Sequence, residues 1–550
     1  MNVYPLQGLS APSLAEQYRL GDAGTRRLFG AHPFERADWL QRAEALDRLA
    51  DRRADRKSLA AALREYQAQL APHERVLQSI ADLEREDTLA IVGGQQAGLF
   101  GGALLIVYKA LTVIQSAKHA ERLLGRRVVP VFWIAGEDHD FDEANHVYVE
   151  ANHVFAGEAD GESVRIRLNR PEGPRQAVSR TPLSAADWES AVGALARALP
   201  DTEFKPELLR QITAQLADAP SLTLAFARLL SDWFGKDGLV LLDSDDPALR
   251  RLERPLFREM IERSDGISAA IAEGEERVKA LGYPLQAESS PEIANLFLHL
   301  ERGRTLLYRR DGGFQDRRGE VAFTRDELLQ WTAEKPETFS NNALTRPLMQ
   351  EYLLPVLATV LGPSEIAYWG VLGPSFDLLG LQMPLLVPRQ SFTYLEPAVG
   401  KLLAKYGMTA EELMARGDAR KAEWLSAQDR WDLEAKFASA REAFERLYAP
   451  ILETVSAVQP GLDRLGERNR DKILEQMAYL EQQTASALAK RHEDALRQWD
   501  RMLGSLRPQG KPQERVLGGI HFLNRYGPGW LDALREVDYD VTGGHRLLEG

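Results

Sequence analysis

The chain has 550 residues, 44% of them hydrophobic and 27% charged, with 28 prolines spread along it. That length argues for several structural units of roughly 100–200 residues each. The lack of any cysteine excludes disulfides, thiolate zinc sites and cysteine nucleophiles, and a net charge of −13 opposes a general role on nucleic acid or an anionic membrane.

The opening "MNVYPLQGLSAPSLAEQY" has no basic region followed by an apolar one, as a signal peptide needs, and no later run approaches the ~20 apolar residues of a membrane span. A cytoplasmic protein is expected. Asp38 to Leu83 spaces its apolar residues at three and four, which predicts helices. "TLAIVGG" then predicts a strand entering glycine, "ALLIVYKALTVIQSAKHAERLLG" a helix stopped at Gly125, and "RRVVPVFWIAG" a second strand. Strand, turn, helix and strand make a βαβ unit, the building block of a parallel sheet. Further strands are predicted in "GLVLLDSDDP" (Gly238–Pro247) and "QMPLLVPRQ" (Gln382–Gln390).

Two β-rich regions interrupt this pattern, one with "HVFAG" and "SVRIRL", the other with "RRDGGF" as a hairpin turn. They read as insertions into one doubly wound α/β sheet. From Leu395 the chain turns helical. Leu433, Phe437, Ala440, Phe444, Leu447 and Ile451 form one stripe and Ile473, Met477, Leu480, Thr484 and Ala487 another, split by Pro460-Gly461, which predicts an antiparallel helical pair kinked at Pro450. The polar seam predicts that part of its surface is buried against a second subunit.

Four stretches carry candidate chemistry. "VGGQQAGLFGG" lies where the first strand meets its helix; Gln95, Gln96 and the amides of Gly98 to Gly102, with Gly101 and Gly102 closing the turn, are placed to meet an anion. Its spacing fits neither a dinucleotide fingerprint nor a P-loop. "GEDHDFDEANH" puts Glu137, Asp138, His139 and Asp140 at the carboxyl edge of the sheet, where a histidine among carboxylates suits a general base with a raised pKa. His139, His146 and His153 fall within fifteen residues, yet no standard metal-ligand spacing appears. "FSNNALTRPLMQEYLLPVLATVLGPSEIAYWG" offers Asn342 and Arg346 at a helix opening, and Glu365, Tyr368 and Trp369 by a glycine-proline turn. "GSLRPQGKPQERV" offers Arg507, Lys511 and Arg515 as a basic loop. Lys109, Asn145 and His146 complete the candidate binding residues. Helix caps, tight turns and solvated loops are the plain structural alternatives throughout.

These four blocks resemble the bacillithiol biosynthesis cysteine-adding enzyme family, in the same order along nearly the whole chain. The resemblance implies a Rossmann-like core similar to that of class I aminoacyl-tRNA synthetases, two connecting-peptide insertions, and an α-helical antiparallel coiled coil that helps form a homodimer. On that plan residues 1–150, 236–268 and 331–394 are core segments, 151–235 and 269–330 the insertions, 395–503 the coiled-coil domain and 504–550 a segment returning to the core. It implies a ligase that joins cysteine to the amine of glucosaminyl-malate, with ATP as the candidate activator and any metal left open. In the synthetases two histidines steady ATP phosphates after the first strand; here Gln95, Gln96, Ala97 and Gly98 hold that place, so adenylation does not follow from the fold. His139 and Asp140 are expected to deprotonate and orient the attacking amine, and Arg346 to hold the malate carboxylate. A non-catalytic pathway scaffold and a metal-dependent hydrolase are the alternatives.

Overall fold

Five apolar runs pair as parallel strands: β1 (Leu89–Gln95), β2 (Val128–Ile134), β3 (Val240–Asp243), β4 (Val356–Leu361) and β5 (Leu385–Pro388). Their order is β5-β4-β1-β2-β3, the Rossmann order, in which chain direction across the sheet reverses between β1 and β4. The structure is a computed structural model and describes residues 1–6, 13–150, 163–286 and 289–550.

Alternate side chains on each strand enter different cores. Ile91, Val128 and Phe132 pack in one apolar cluster, and Val92, Val129, Val131 and Trp133 in another. Both faces are therefore covered, which is why these strands read as continuous apolar runs. The same property hid β4. "VLATVL" carries no period that separates a buried strand from a buried helix, and it sits inside a stretch whose flanks had suggested helix opening and turn. Helix α1 (Leu104–Leu124) crosses from β1 to β2 and stops at Gly125 in the left-handed conformation, φ 65°.

The first insertion opens with an antiparallel pair, His146–Glu150 with Ser163–Arg167, followed by helices up to Phe234. The expected strand "HVFAG" and His153 lie outside the described residues. The second insertion is an antiparallel sheet whose strands Ile293–Leu300 and Gly303–Arg310 pair, with Phe339–Asn341 on the outer side of the first. Its hairpin turn is Asp311-Gly312, both at positive φ, as a two-residue turn with right-handed strand twist demands. At the end of the chain, His545–Glu549 lies between Ser391–Leu395 and Asn2–Pro5.

By contact the chain divides into two units, the one above and a helical one made chiefly of Pro397–Gly510. In the latter, α2 (Leu433–Val458) continues through Pro450 and α3 (Asp463–Arg491) folds back after Pro460–Leu462. No residue of α2 is buried, and Leu447 and Leu480 are 71% and 58% exposed. Among the described residues no helix is long and apolar enough to cross a membrane.

Candidate active site at the rim of the core sheet

Because β1 and β2 are neighbours, with Gln95 opposite Ile134, the loops that follow them emerge side by side. They are joined directly. Gln96 Nε2 donates to Asp138 Oδ2 at 2.5 Å, while Asp138 Oδ1 accepts the backbone N–H groups of His139 (2.7 Å) and Asp140 (3.3 Å). Burial pushes the Asp138 pKa up, but the Arg304 charge and the Gln96 hydrogen bond outweigh it, so the carboxylate is held below its usual range. Asp140 caps the short helix Phe141–Ala144 by accepting the Glu143 N–H at 3.0 Å. Glu143 keeps accessible surface, is partly desolvated, and also accepts a hydrogen bond from the Gln96 side chain, which opposes the rise in its pKa. That desolvation and the negative charges of Asp140 and Asp138 raise its pKa.

His139 behaves in the opposite sense to the sequence expectation. Burial and then Arg304 lower its pKa, and the nearby Asp138 does not compensate. Arg304 Nη1 stands 3.2 Å from His139 Nδ1, and its guanidinium lies over the Phe297 ring, 3.9 Å from the centroid. It also donates to Ser340 Oγ (3.0 Å) and the Asn341 carbonyl (2.5 Å). Sequence reasoning missed Arg304 because "RGRTLLYRR" reads as a solvated charged strand; only the pairing of Ile293–Leu300 with Gly303–Arg310 turns that residue toward the core rim.

Glu137 does not face the rim. It is buried, accepts from Arg250 Nη2 at 2.5 Å and from the Asn341 N–H at 3.0 Å, and so ties the acidic loop to the second insertion. Next to it, the Asn341 carboxamide is 1% exposed with neither polar atom bonded among the described residues. A buried amide costs about 1–3 kcal/mol unless water or a ligand bonds it. The neighbouring Asn342, expected to bind ligand, is used locally: its Oδ1 accepts the Leu344 and Thr345 N–H groups, both at 2.9 Å.

Two profiles match this sequence: "Bacillithiol biosynthesis BshC, N-terminal Rossmann-like domain" over residues 1–390 and "Bacillithiol biosynthesis BshC, C-terminal coiled-coil domain" over residues 392–549. The chain belongs to the bacillithiol biosynthesis BshC family. A Geobacillus thermodenitrificans protein described as "Putative cysteine ligase BshC" is 36% identical over 538 residues, 97% of each chain. One of the same description from Symbiobacterium thermophilum is 36% identical over 570 aligned positions, 100% of each. A crystal structure titled as a putative arginyl-tRNA synthetase from Campylobacter jejuni aligns over 79% of this chain and 94% of its own at 9% identity and TM-score 0.20, a likeness too slight to bear on the fold.

Seen in this BshC chain, the glycine turn is closed. Gly101 and Gly102 donate their N–H groups to Gly98 and Leu99 carbonyls, the first amide of α1, that of Leu104, bonds the Leu517 carbonyl, and residues 98–102 are buried. The Gly101 and Gly102 amides, expected to meet an anion, are thus used within the turn, and the glycines serve close packing, with Gly101 against Trp233 and Gly98 against Gly102. Lys109 is likewise interior. Its ammonium is 1% exposed and donates to the Gly94 carbonyl (2.8 Å), Gln95 Oε1 (3.0 Å) and Glu365 Oε2 (2.5 Å), which orients Gln95 at the rim.

Arg346 and Tyr368 form a second edge of the BshC rim. Arg346 donates to the Tyr368 hydroxyl at 2.6 Å and stands 4.0 Å from Glu365, whose pKa is lowered because Lys109 and Arg346 outweigh its burial. Trp369 instead packs in the core beside Phe376. Asn145 and His146 serve the first insertion: Asn145 Nδ2 donates to the Leu168 carbonyl at 2.8 Å, and His146 sits 3.1 Å from the Asp142 carbonyl and edge-on to Tyr148. Arg507 belongs to the helical unit, where it bonds the Gly510 carbonyl and pairs with Asp418, while Lys511 and Arg515 are exposed residues of the core unit. Among the described residues, Glu150, Glu396 and His521 are grouped closely enough to hold a metal ion. Arg525 already bridges the two carboxylates there at 2.7 and 2.8 Å, so the residues present fit a guanidinium better than a metal.

Proposed function

We propose that this BshC chain forms its carbon–nitrogen bond at the rim between Gln96 and Asp138, joining cysteine to the amine of glucosaminyl-malate. The observation that carries the reading is the 2.5 Å contact between those two side chains, which puts the glutamine bend and the acidic loop on one small volume. An amine attacks only after losing its proton. Glu143 suits that task better than His139, because its raised pKa brings a carboxylate toward neutrality while remaining accessible. Arg346, with Tyr368 beside it, suits a substrate carboxylate at the other edge. Amide formation from a free carboxylate is uphill in water, so an activated cysteine or a nucleotide has to supply the drive. ATP is the natural candidate, although the Gly101 and Gly102 amides that would meet its phosphates are bonded within the turn.

Homodimerisation through α2 and α3 belongs to the same proposal. Their exposed apolar residues Leu447, Ile451, Val458, Leu465, Tyr479 and Leu480 exceed what isolated surface hydrophobics need. Aspartate at Leu447 and Leu480 is expected to convert the dimer to monomer by sedimentation.

The function is tested by complementing a strain that lacks the gene. Wild type should restore bacillithiol, whereas Asp138→Asn at equal protein level should leave glucosaminyl-malate unconsumed. Full restoration by the variant would favour a scaffold and remove the catalytic rim.

A further inference from the structure

We infer that Arg304 is a positioning residue that fixes His139 as a neutral imidazole carrying its proton on Nε2, so that His139 donates a hydrogen bond to a substrate oxygen and takes no proton itself. This rests on the ligase reading above for its chemical use, but its structural content stands alone.

The argument is one of donors and acceptors. A guanidinium has five N–H donors and no acceptor, so the 3.2 Å approach of Arg304 Nη1 to His139 Nδ1 requires a lone pair on Nδ1. Protonation at Nδ1 would set two N–H groups against each other. The other group near that atom is Asp138, whose Oδ1 lies 3.5 Å away, beyond good hydrogen-bond range. That oxygen already accepts two backbone N–H groups, and Oδ2 accepts from Gln96. Asp138 therefore has little capacity to draw the proton to Nδ1. Arg304 has none to move: it is 6% exposed and held by the Ser340 hydroxyl, the Asn341 carbonyl and the face of Phe297.

The charged groups around His139 point the same way. Arg304 and Arg175 oppose a positive imidazole, Asp138 and Asp140 favour one, and burial opposes it most. With Nδ1 covered, the polar atom left for a ligand is Nε2–H, on a side chain that is 34% exposed. A neutral imidazole N–H is a good partner for an oxygen on which negative charge is present or developing. Two such oxygens occur in the reaction, the acyl oxygen of the cysteine donor and a carboxylate of glucosaminyl-malate. The second insertion thus reaches into the core rim to set a protonation state, which explains why a sheet built far along the chain contributes an arginine there.

The experiment is long-range proton–nitrogen correlation NMR on protein labelled with nitrogen-15 histidine, with His139 assigned by the signals lost in His139→Gln. Wild type should show the Nε2–H tautomer at neutral pH, and Arg304→Ala should raise the His139 pKa and release the tautomer, with Arg304→Lys restoring part of the wild-type pattern. An Nδ1–H tautomer or an imidazolium in wild type, or an unchanged tautomer and pKa in a folded Arg304→Ala, overturns the inference. Kinetics then identify the oxygen: a fall of ~10–100-fold in kcat at constant KM in His139→Leu, which has no N–H to donate, assigns the acyl oxygen, and a rise in KM at constant kcat assigns the carboxylate. Unchanged kcat and KM overturn the donor role. Because the tautomer is read without substrate, failure of the ligase reading and failure of this one are told apart.

Discussion

The two loops that meet at the rim are built in opposite ways. Residues 98–102 form a buried turn in which the Gly101 and Gly102 amides bond within the loop and the glycines press on Trp233 and Ile106. The Gly136–Asp140 loop leaves polar groups accessible: Asp138, His139 and, from the helix behind, Glu143 are at least partly exposed. Position at the carboxyl edge of a parallel strand therefore supplies the opportunity for a site, and the hydrogen-bond balance of each loop decides whether it is used. In the glycine turn the Gly101 and Gly102 amides are already taken; in the acidic loop His139 and Glu143 keep accessible polar atoms, and the adjoining Asn341 carboxamide has no partner among the described residues.

The largest expected effect breaks the closed loop. A Cβ on Gly101 would lie 2.3 Å from the Trp233 ring at φ +86°, a conformation L residues avoid. Gly101→Leu should destabilise the protein by about 3 kcal/mol or more, the sum of backbone strain and overpacking, as measured by urea unfolding. A near-wild-type midpoint would mean the turn is looser than its burial indicates.

Asp138→Asn tests the open loop. It weakens the grip on two backbone amides and on Gln96, so the expected result is a loss of ~100-fold or more in kcat/KM with little change in unfolding midpoint. A loss of stability equal to that of Gly101→Leu would make the two loops alike, and the contrast would fail. Glu143→Gln should act more narrowly, with a fall of roughly 10–100-fold in kcat. Because a base works only when deprotonated and this carboxyl has a raised pKa, wild-type activity should decline as pH drops through that raised value, and the decline should vanish in the variant. A pH profile identical in both would pass the base role to another group.

Much of this contrast was legible in the sequence, though not its sign. The βαβ unit, the stop at Gly125 and the Asp311-Gly312 turn follow from local chemistry, since each depends on a period or on a glycine that a particular backbone conformation requires. The proximity of Gln96 and Asp138 followed from the rule that neighbouring parallel strands end together. Three things depended on partners distant in sequence and could not be read. Arg304 comes from 165 residues beyond His139 and adds to the burial that lowers its pKa. Arg250 draws Glu137 inward from 113 residues away. The Leu517 carbonyl covers the first amide of α1 from the C-terminal segment. Charge patterns along a chain show which groups are present, whereas protonation and accessibility follow from what the rest of the fold brings to them.

The smallest expected effect lies beneath the acidic loop. His299 is 3% exposed and 3.4 Å from Asp245, with Arg180, Arg250 and Arg304 also near. Burial lowers its pKa to about 3, the Asp245 charge opposing and the arginines assisting. The unfolded chain protonates a histidine near pH ~6.5 while the folded chain does not until far lower, so the folded state binds fewer protons in between. Stability contributed by this group is complete above ~6.5 and is lost as pH falls, at up to ~1.4 kcal/mol per pH unit. His521, lowered to about 4, adds to the same slope, and the buried Glu253 carboxyl, raised to about 7, contributes with the opposite sign, so the decisive quantity is the difference between wild type and His299→Gln from pH 6.5 to 4.5, in which groups common to both proteins cancel. A shallower slope in the variant places the open loop on a support that stays uncharged. Equal slopes would mean that His299 is protonated in the folded protein, and the layer under the acidic loop would then carry a positive charge that its three arginines make costly.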